Sequence, residues 1–232
     1  ILSIIDQDYK NYEIIIGDNN NNFKFKSIIQ TYKNKLKIIE HKKDIPVYEN
    51  WQSCLDAATG DYFIMLGDDD CLLKGSLNKI NTLIEENNSP DCVTVNGISF
   101  YDSGCLENTN DFAYKEPYFQ FNPKYISNGF LSNQTKKLII KKIFSFENLL
   151  PLNMQPHIVS LKFVRNNFKE KIFQAPFPDH YAIHSLMLKK NCSWLISNQK
   201  IVGVGINAKS FGNYFYNNKI NAGLSYLGIN MN

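Results

Sequence analysis

Three consecutive aspartates, Asp68, Asp69 and Asp70, interrupt the stretch GDYFIMLGDDDCLL at residues 60–73. Adjacent carboxylates repel one another, and near a low-dielectric core each carries a desolvation cost unless a cation or a donor compensates it. A fully solvated acidic turn would carry such a triplet without cost. The apolar run YFIML that leads into it points instead to a compensated site. A hard divalent cation takes oxygen ligands, often uses only one or two carboxylates, and completes its shell with water and substrate phosphates. Two or three acids after a buried strand are then enough if the partner is a diphosphate. The cation would neutralise the phosphates and stabilise a departing nucleoside diphosphate. The expectation is that the compensating charge comes from outside the chain.

Other candidate groups each carry two readings. Asp18 and Asn19 follow EIII, where such residues cap helices or form turns, and where a carboxylate can also accept hydrogen bonds from a nucleobase or ribose. Asp179 follows Pro178 and opens an apolar periodic segment. It can be a helix N-cap, or a general base that removes a proton from a hydroxyl nucleophile, and the two roles are compatible. His180 and His184 share the i, i+4 spacing of a metal pair, but no Glu follows His180 as in H-E-x-x-H. His157 after Pro156 reads as structural.

These residues need elements to position them. The first hundred residues alternate in the α/β manner. A helical segment near 1–7 precedes a strand at 12–18, a helix near 24–34, a strand at 36–41 and a helix near 48–58. A strand at 61–66 runs into the aspartates, followed by a helix near 75–87 and a strand at 91–100. Continuous Ile, Val and Met runs suggest a mostly parallel sheet covered by helices on both faces, with ligands beyond the carboxyl ends of its strands. Asp18 and Asp68 to Asp70 are each expected at such an end. After about residue 101 the pattern becomes irregular, which is usual for functional connections. The basic segment 134–150 reads as a core-packed helix with a solvated lysine face, with attachment to a membrane surface as the lesser alternative, HIVSLKFV at 157–164 as strand or helix, and 177–190 as a helix beginning after Asp179.

Composition narrows the function further. With 44% apolar and 13% aromatic residues the 232-residue chain can fill a core. A net charge of +3 without a basic stripe argues against nucleic acid as partner. Five cysteines without a C-x-x-C pair argue against a disulfide framework and a zinc site, and fit a reducing cytosol. No apolar run approaches the roughly 20 residues that span a bilayer. The chain opens without methionine, in the middle of a helical pattern, which suggests a segment before Ile1.

Together, LSIIDQDYKNYEIIIGDN and NWQSCLDAATGDYFIMLGDDDCLLKGSL resemble the opening and centre of a family 2 glycosyltransferase of the GT-A fold. The resemblance implies a Rossmann-like α/β domain, with residues 1–100 as its nucleotide-sugar-binding half and the irregular residues 101–232 as its acceptor-binding half. It implies that Asp18 contacts uracil, that Asn50, Asp68 and Asp69 bind the donor, and that Asp70, with Asp69, ligates Mn²⁺ or Mg²⁺. Asp179 matches the acid of the downstream Glu-Asp pair, with Pro178 in place of the Glu, and so becomes the catalytic base. Gly67 stands where many members have another aspartate. The implied reaction is inverting transfer of a sugar from a nucleotide donor, expected to be UDP-linked, to a hydroxyl on a glycan or glycolipid acceptor. The implied product is a bacterial surface glycan or its precursor, made in the cytoplasm, with peripheral contact at the inner face of the membrane as a further expectation. Two rival readings are a nucleotidyltransferase, which would need a Gly-rich basic phosphate loop that is not found here, and a non-enzymatic carbohydrate-binding protein.

Overall fold

The centre of the fold is a parallel pair of strands, Cys92–Tyr101 and Trp194–Ile206, only the first of which stands out in the sequence. The computed structural model describes residues 1–20, 30–32, 34, 36–103, 113–207, 224 and 227. Most of the helix expected near 24–34, and Cys105, lie outside the described residues. In chain order the elements are α1 (Leu2–Ile5), β1 (Ile14–Asp18), β2 (Leu36–Glu40), α2 (Val47–Ala57), β3 (Tyr62–Ile64), β4 (Cys71–Leu72), α3 (Ser76–Glu86) and β5 (Cys92–Tyr101). They continue with β6 (Ala113–Lys115), β7 (Gly129–Phe130), α4 (Asn133–Ile143), β8 (His157–Ser160), α5 (Leu161–Asn167), α6 (Pro178–Leu188) and β9 (Trp194–Ile206).

The α/β class is as expected, and its strands form two described sheets. β1 and β2 pair in parallel, with Asp18 opposite Glu40. The larger sheet is mixed. Its order is β3-β8-β5-β9-β4, with β6 beside β5 and β7 beside β9, and every pairing except β5 with β9 is antiparallel. The register of β5 on β9 shifts where Thr94 faces Ile196 and Gly97 faces Val202. A Cβ on Gly97 would lie 2.0 Å from the Val202 carbonyl oxygen, so no side chain fits there. The polar SNQK within β9 is this irregularity, and it hides a 13-residue strand from period counting.

Apolar residues bury both faces of the large sheet. On one side α3 places Ile80 and Leu83 against Val93, Val95, Val202 and Val204. On the other, Ile139 of α4, Ile183 and Leu186 of α6 and the fully buried Trp194 share a second core. HIVSLKFV is both strand and helix: β8 ends at Ser160, whose hydroxyl accepts from Phe163 N and starts α5. The basic helix ends at Ile143 rather than 150. Its lysine face is not wholly solvated either. Lys136 is buried, and its Nζ donates to the carbonyls of Lys189 and Cys192, both at 2.9 Å. Among the described residues no helix is long and apolar enough to cross a membrane.

Candidate functional site

β3 stops at Ile64, and the chain turns so that the triplet lies against the end of β9. The Asp70 carboxylate closes the turn by accepting from Gly67 N at 2.6 Å through Oδ2 and from Gly205 N at 3.0 Å through Oδ1. Asp69 Oδ2 accepts from Asn207 Nδ2 at 2.6 Å. The expectation that only an outside group compensates the triplet is therefore corrected: backbone and amide donors of the chain hold two of its three acids. The close approach requires glycine on β9, because a Cβ at Gly205 would sit 2.2 Å from the Asp69 carbonyl oxygen and one at Gly203 2.6 Å from Cys71 Sγ. The alternation VGVG in β9 is the sequence signal for this contact.

Those bonds do not remove the whole cost. Burial raises the Asp70 carboxyl above its ordinary range, with the Asp68 charge adding to it, against hydrogen bonds from Gly67, Gln155 and Gly205 that lower it. Asp69 Oδ1 and Asp70 Oδ2 converge over Gly67: a Cβ built there would be 2.9 Å from each. The absence of a side chain at residue 67 thus leaves a small cradle bounded by two carboxylate oxygens. Among the described residues no group of three or more His, Cys, Asp or Glu is arranged to hold a metal. Two hard oxygens with room between them suit a cation whose other ligands come from phosphate and water, and do not suit an all-protein cage.

Asp179 approaches from the other core. Pro178 takes the first position of α6, where its missing N–H costs nothing, and Phe177 is the N-cap residue. Asp179 is thus inside the first turn rather than the cap, a correction to the capping expectation; its Oδ1 accepts from His180 N at 2.9 Å. Burial raises its carboxyl, while the neighbouring His180 charge and amide lower it. A carboxylate whose proton affinity is raised toward neutrality is a better proton acceptor.

Tyr118 feels the charge of both acids. Burial lifts its hydroxyl well above the ordinary phenol range, the hydrogen bond to Asn153 lowers it, and the charges of Asp70 and Asp179 both raise it. Its Oη donates to Asn153 Oδ1 at 2.5 Å, Asn153 Nδ2 donates to Gln155 Oε1, and the Gln155 amide bonds the Asp70 carboxylate. Every member passes a donor toward Asp70, which sets the orientation of both amides. The loop carrying them is anchored at His157, whose Nε2 meets the Pro151 carbonyl at 3.0 Å and whose Nδ1 meets Thr94 Oγ1 at 2.9 Å; Trp194 Nε1 donates to the same hydroxyl at 2.7 Å. Complete burial pushes the His157 imidazole down to about 4. Tyr118, Asn153 and Gln155 carry no sequence signal, since isolated polar residues in an irregular segment look like any loop.

Asp18 and Asn50 form a separate station on the β1–β2 sheet. Asn50 Nδ2 donates to the Gly17 carbonyl at 3.3 Å and its Oδ1 meets His41 Nε2 at 3.1 Å, which fixes the backbone just before Asp18. A Cβ at Gly17 would fall 2.3 Å from Asn50 Oδ1, so glycine is what lets α2 approach β1. Asn19 clamps residue 45 through both its amide atoms. The two sheets are tied by Glu13, whose carboxylate accepts from Thr59 N, Thr59 Oγ1 and Gly60 N at 2.6–3.0 Å. His180 and His184 do not form a metal pair, because His184 Nδ1 is occupied by the His180 carbonyl at 2.6 Å.

The family model for glycosyl transferase family 2 matches residues 1–146. No curated protein matches the chain at a significant level. Among solved structures, S. aureus TarS 1–349 in complex with UDP is similar at 12% identity and a TM-score of 0.62, covering 99% of this chain and 61% of that one. TarS 1–349 in complex with UDP-GlcNAc gives 13%, 0.62, 99% and 62%, and GalNAc-T7 with UDP, GalNAc and Mn²⁺ gives 14%, 0.58, 88% and 39%. Likeness at such identities shows the fold, a mixed α/β architecture of the GT-A type. The chain spans about three fifths of the TarS fragment, at 61% of its length.

Proposed function

The chain belongs to glycosyl transferase family 2, and on that premise we propose that it transfers a sugar, with inversion, from a uridine diphosphate donor to a hydroxyl of a glycan or glycolipid acceptor. What supports this reading is that the half-buried Tyr118 hydroxyl feels the charges of both Asp70 and Asp179, so the acidic turn and the start of α6 act on one group. The uridine would lie along the end of β1, with Asp18 accepting the ring N–H and Asn50 holding the backbone beside it. Asp69 and Asp70 would hold Mn²⁺ or Mg²⁺ between their converging oxygens, and Asp68 would line the donor side. When bound, the cation supplies the positive charge that makes the nucleoside diphosphate a good leaving group. Asp179 takes the proton of the acceptor hydroxyl as its oxygen attacks the anomeric carbon from the face opposite the phosphate. The new C–O bond forms as the bond to the diphosphate oxygen breaks. Residues 1–100 would supply the donor contacts and residues 101–232 the acceptor contacts, with Gln155, Gly205 and Asn207 reaching back from the second half to steady the first.

Calorimetry with UDP tests this. Binding is expected with Mn²⁺ and lost in chelator, with CDP weaker because cytosine lacks the ring N–H that Asp18 would bind. Asp70→Asn removes one charge and keeps one acceptor for the Gly67 and Gly205 amides. It should weaken Mn²⁺-supported binding about tenfold or more, since a charged hydrogen-bonding contact is worth about 1.5–3 kcal/mol. Equal affinity with and without metal would overturn the metal-dependent reading.

A further inference from the structure

An apolar surface helix keeps one face in the core and turns polar residues outward. α6 breaks that rule. Its inner residues Ala182, Ile183, Leu186 and Met187 are buried at 0–2% exposure, yet Tyr181 and Leu188, on the opposite side, are 39% and 68% exposed. Tyr181 and Leu188 flank His184, whose ring lies 6.3 Å from that of Phe144 at the end of α4. Phe144 is 80% exposed and Phe146 99%, the latter at a φ of 59°, a left-handed conformation that a bulky side chain rarely adopts. The aromatic end of α4 and the outer side of α6 thus form one apolar surface.

The charge around it is one-sided. Residues 133–190 hold six lysines within 133–146 and 180–190, and the two acids that adjoin these segments are Glu147, paired with Lys142, and Asp179, turned inward at the start of α6. Lys136 is buried against carbonyls, Lys142 pairs with Glu147, and Lys189 Nζ donates to the Asn167 carbonyl. Lys137 and Lys141 remain exposed on the outer side of α4, one turn apart and leading to Phe144. Projecting Phe and Leu side chains beside lysines are the composition of a surface that lies in a lipid interface, with the rings entering the acyl boundary and the ammonium groups meeting anionic headgroups.

We propose that the α4–α6 face, Phe144, Phe146, Tyr181 and Leu188 with Lys137 and Lys141, docks on an anionic lipid surface. α6 carries Asp179 in its first turn, so docking on this face would set the proton acceptor within one helix length, ~16 Å, of the bilayer. The inference deepens the transfer reading, by making a lipid-linked acceptor the one presented to the site, and rests on that reading only for the role of Asp179. It is tested by co-sedimentation of the whole chain with vesicles of phosphatidylcholine, with and without about a quarter phosphatidylglycerol. Binding is expected on the anionic vesicles, at least about tenfold stronger than on neutral ones and lost in high salt. The pair Phe146→Ser, Leu188→Ser and the pair Lys137→Glu, Lys141→Glu should each weaken it about tenfold or more, while Mn²⁺-supported UDP binding stays at the wild-type value. No binding to anionic vesicles, or equal binding by wild type and both pairs, overturns the inference and leaves the donor reading standing. A concentration-dependent dimer that Phe146→Ser disperses, without vesicle binding, overturns it in favour of a self-contact. Vesicle binding by a chain that does not bind UDP would instead overturn the donor reading alone.

Discussion

The acidic turn and the start of α6 both hold partly buried carboxylates with raised proton affinity, and they hold them differently. Asp70 accepts from two backbone amides that are 138 residues apart in sequence, Gly67 and Gly205, and Gln155 adds a bond from a third segment. Asp179 accepts from the next amide of its own helix, and its own amide adds the other bond that lowers it. The first carboxylate is fixed by tertiary contacts, the second by local backbone bonds. The difference suits the roles proposed for them: a group that ligates a cation benefits from rigid oxygens, whereas a group that takes up and releases a proton must not have its lone pairs fully committed.

The largest effect that could break this contrast is at Asp179. Asp179→Asn keeps an oxygen acceptor for His180 N and cannot take a proton. Transfer should fall by about 10²–10⁴-fold, about 3–5 kcal/mol of barrier, while melting temperature and Mn²⁺-supported UDP binding stay near wild type. A variant that keeps more than about a tenth of wild-type turnover would make Asp179 a structural residue.

The second test is acid. His157 anchors the Pro151–Gln155 loop from which the acidic turn is steadied, and its imidazole is held down to about 4 from 6.5. In the unfolded chain it takes a proton as the pH falls through 6.5, and in the folded chain only near 4. Its contribution is therefore complete above 6.5, declines between 6.5 and 4, and levels off below. The whole decline amounts to about 3 kcal/mol. Urea unfolding at a series of pH values should show this slope in the wild type and lack it in His157→Gln. A wild-type curve flat over that window would mean that the imidazole is not the anchor.

The smallest effect sharpens the contrast most. Gln155→Met keeps the volume and removes the amide that links Asn153 to Asp70. Mn²⁺-supported UDP binding should weaken several-fold, about 1 kcal/mol, with little change in turnover at saturating donor. Turnover that falls as steeply as in Asp179→Asn would mean that the relay serves Asp179 rather than the acidic turn.

Much of the architecture was legible because it is written locally. The apolar runs at 12–18, 36–41 and 91–100 become β1, β2 and β5 within a residue or two, and the helix expected at 75–87 is Ser76–Glu86. The acidic triplet and the Pro178-Asp179 start also announce themselves in a few adjacent residues. β9 did not, because its polar irregularity breaks the pattern within the strand. Nor did the direction of the outer pairings, because β8 is buried along most of its length and β3 is half-buried throughout, so neither shows the in-out alternation of an antiparallel strand with one solvated face.

By itself the sequence determined where acids, strands and helix starts occur, since propensity and periodicity act over a few neighbouring residues. Only the tertiary structure decided which oxygens of Asp69 and Asp70 converge over Gly67, that Gly205 and Asn207 meet the turn, and that the charges of Asp70 and Asp179 both reach Tyr118. The bonds from Asp70 to Gly205 and from Asp69 to Asn207 cross 135 and 138 residues. A contact at that separation leaves no local period. It is set by the parallel register of β9 on β5, which carries Gly205 to the place where a side chain would collide with Asp69.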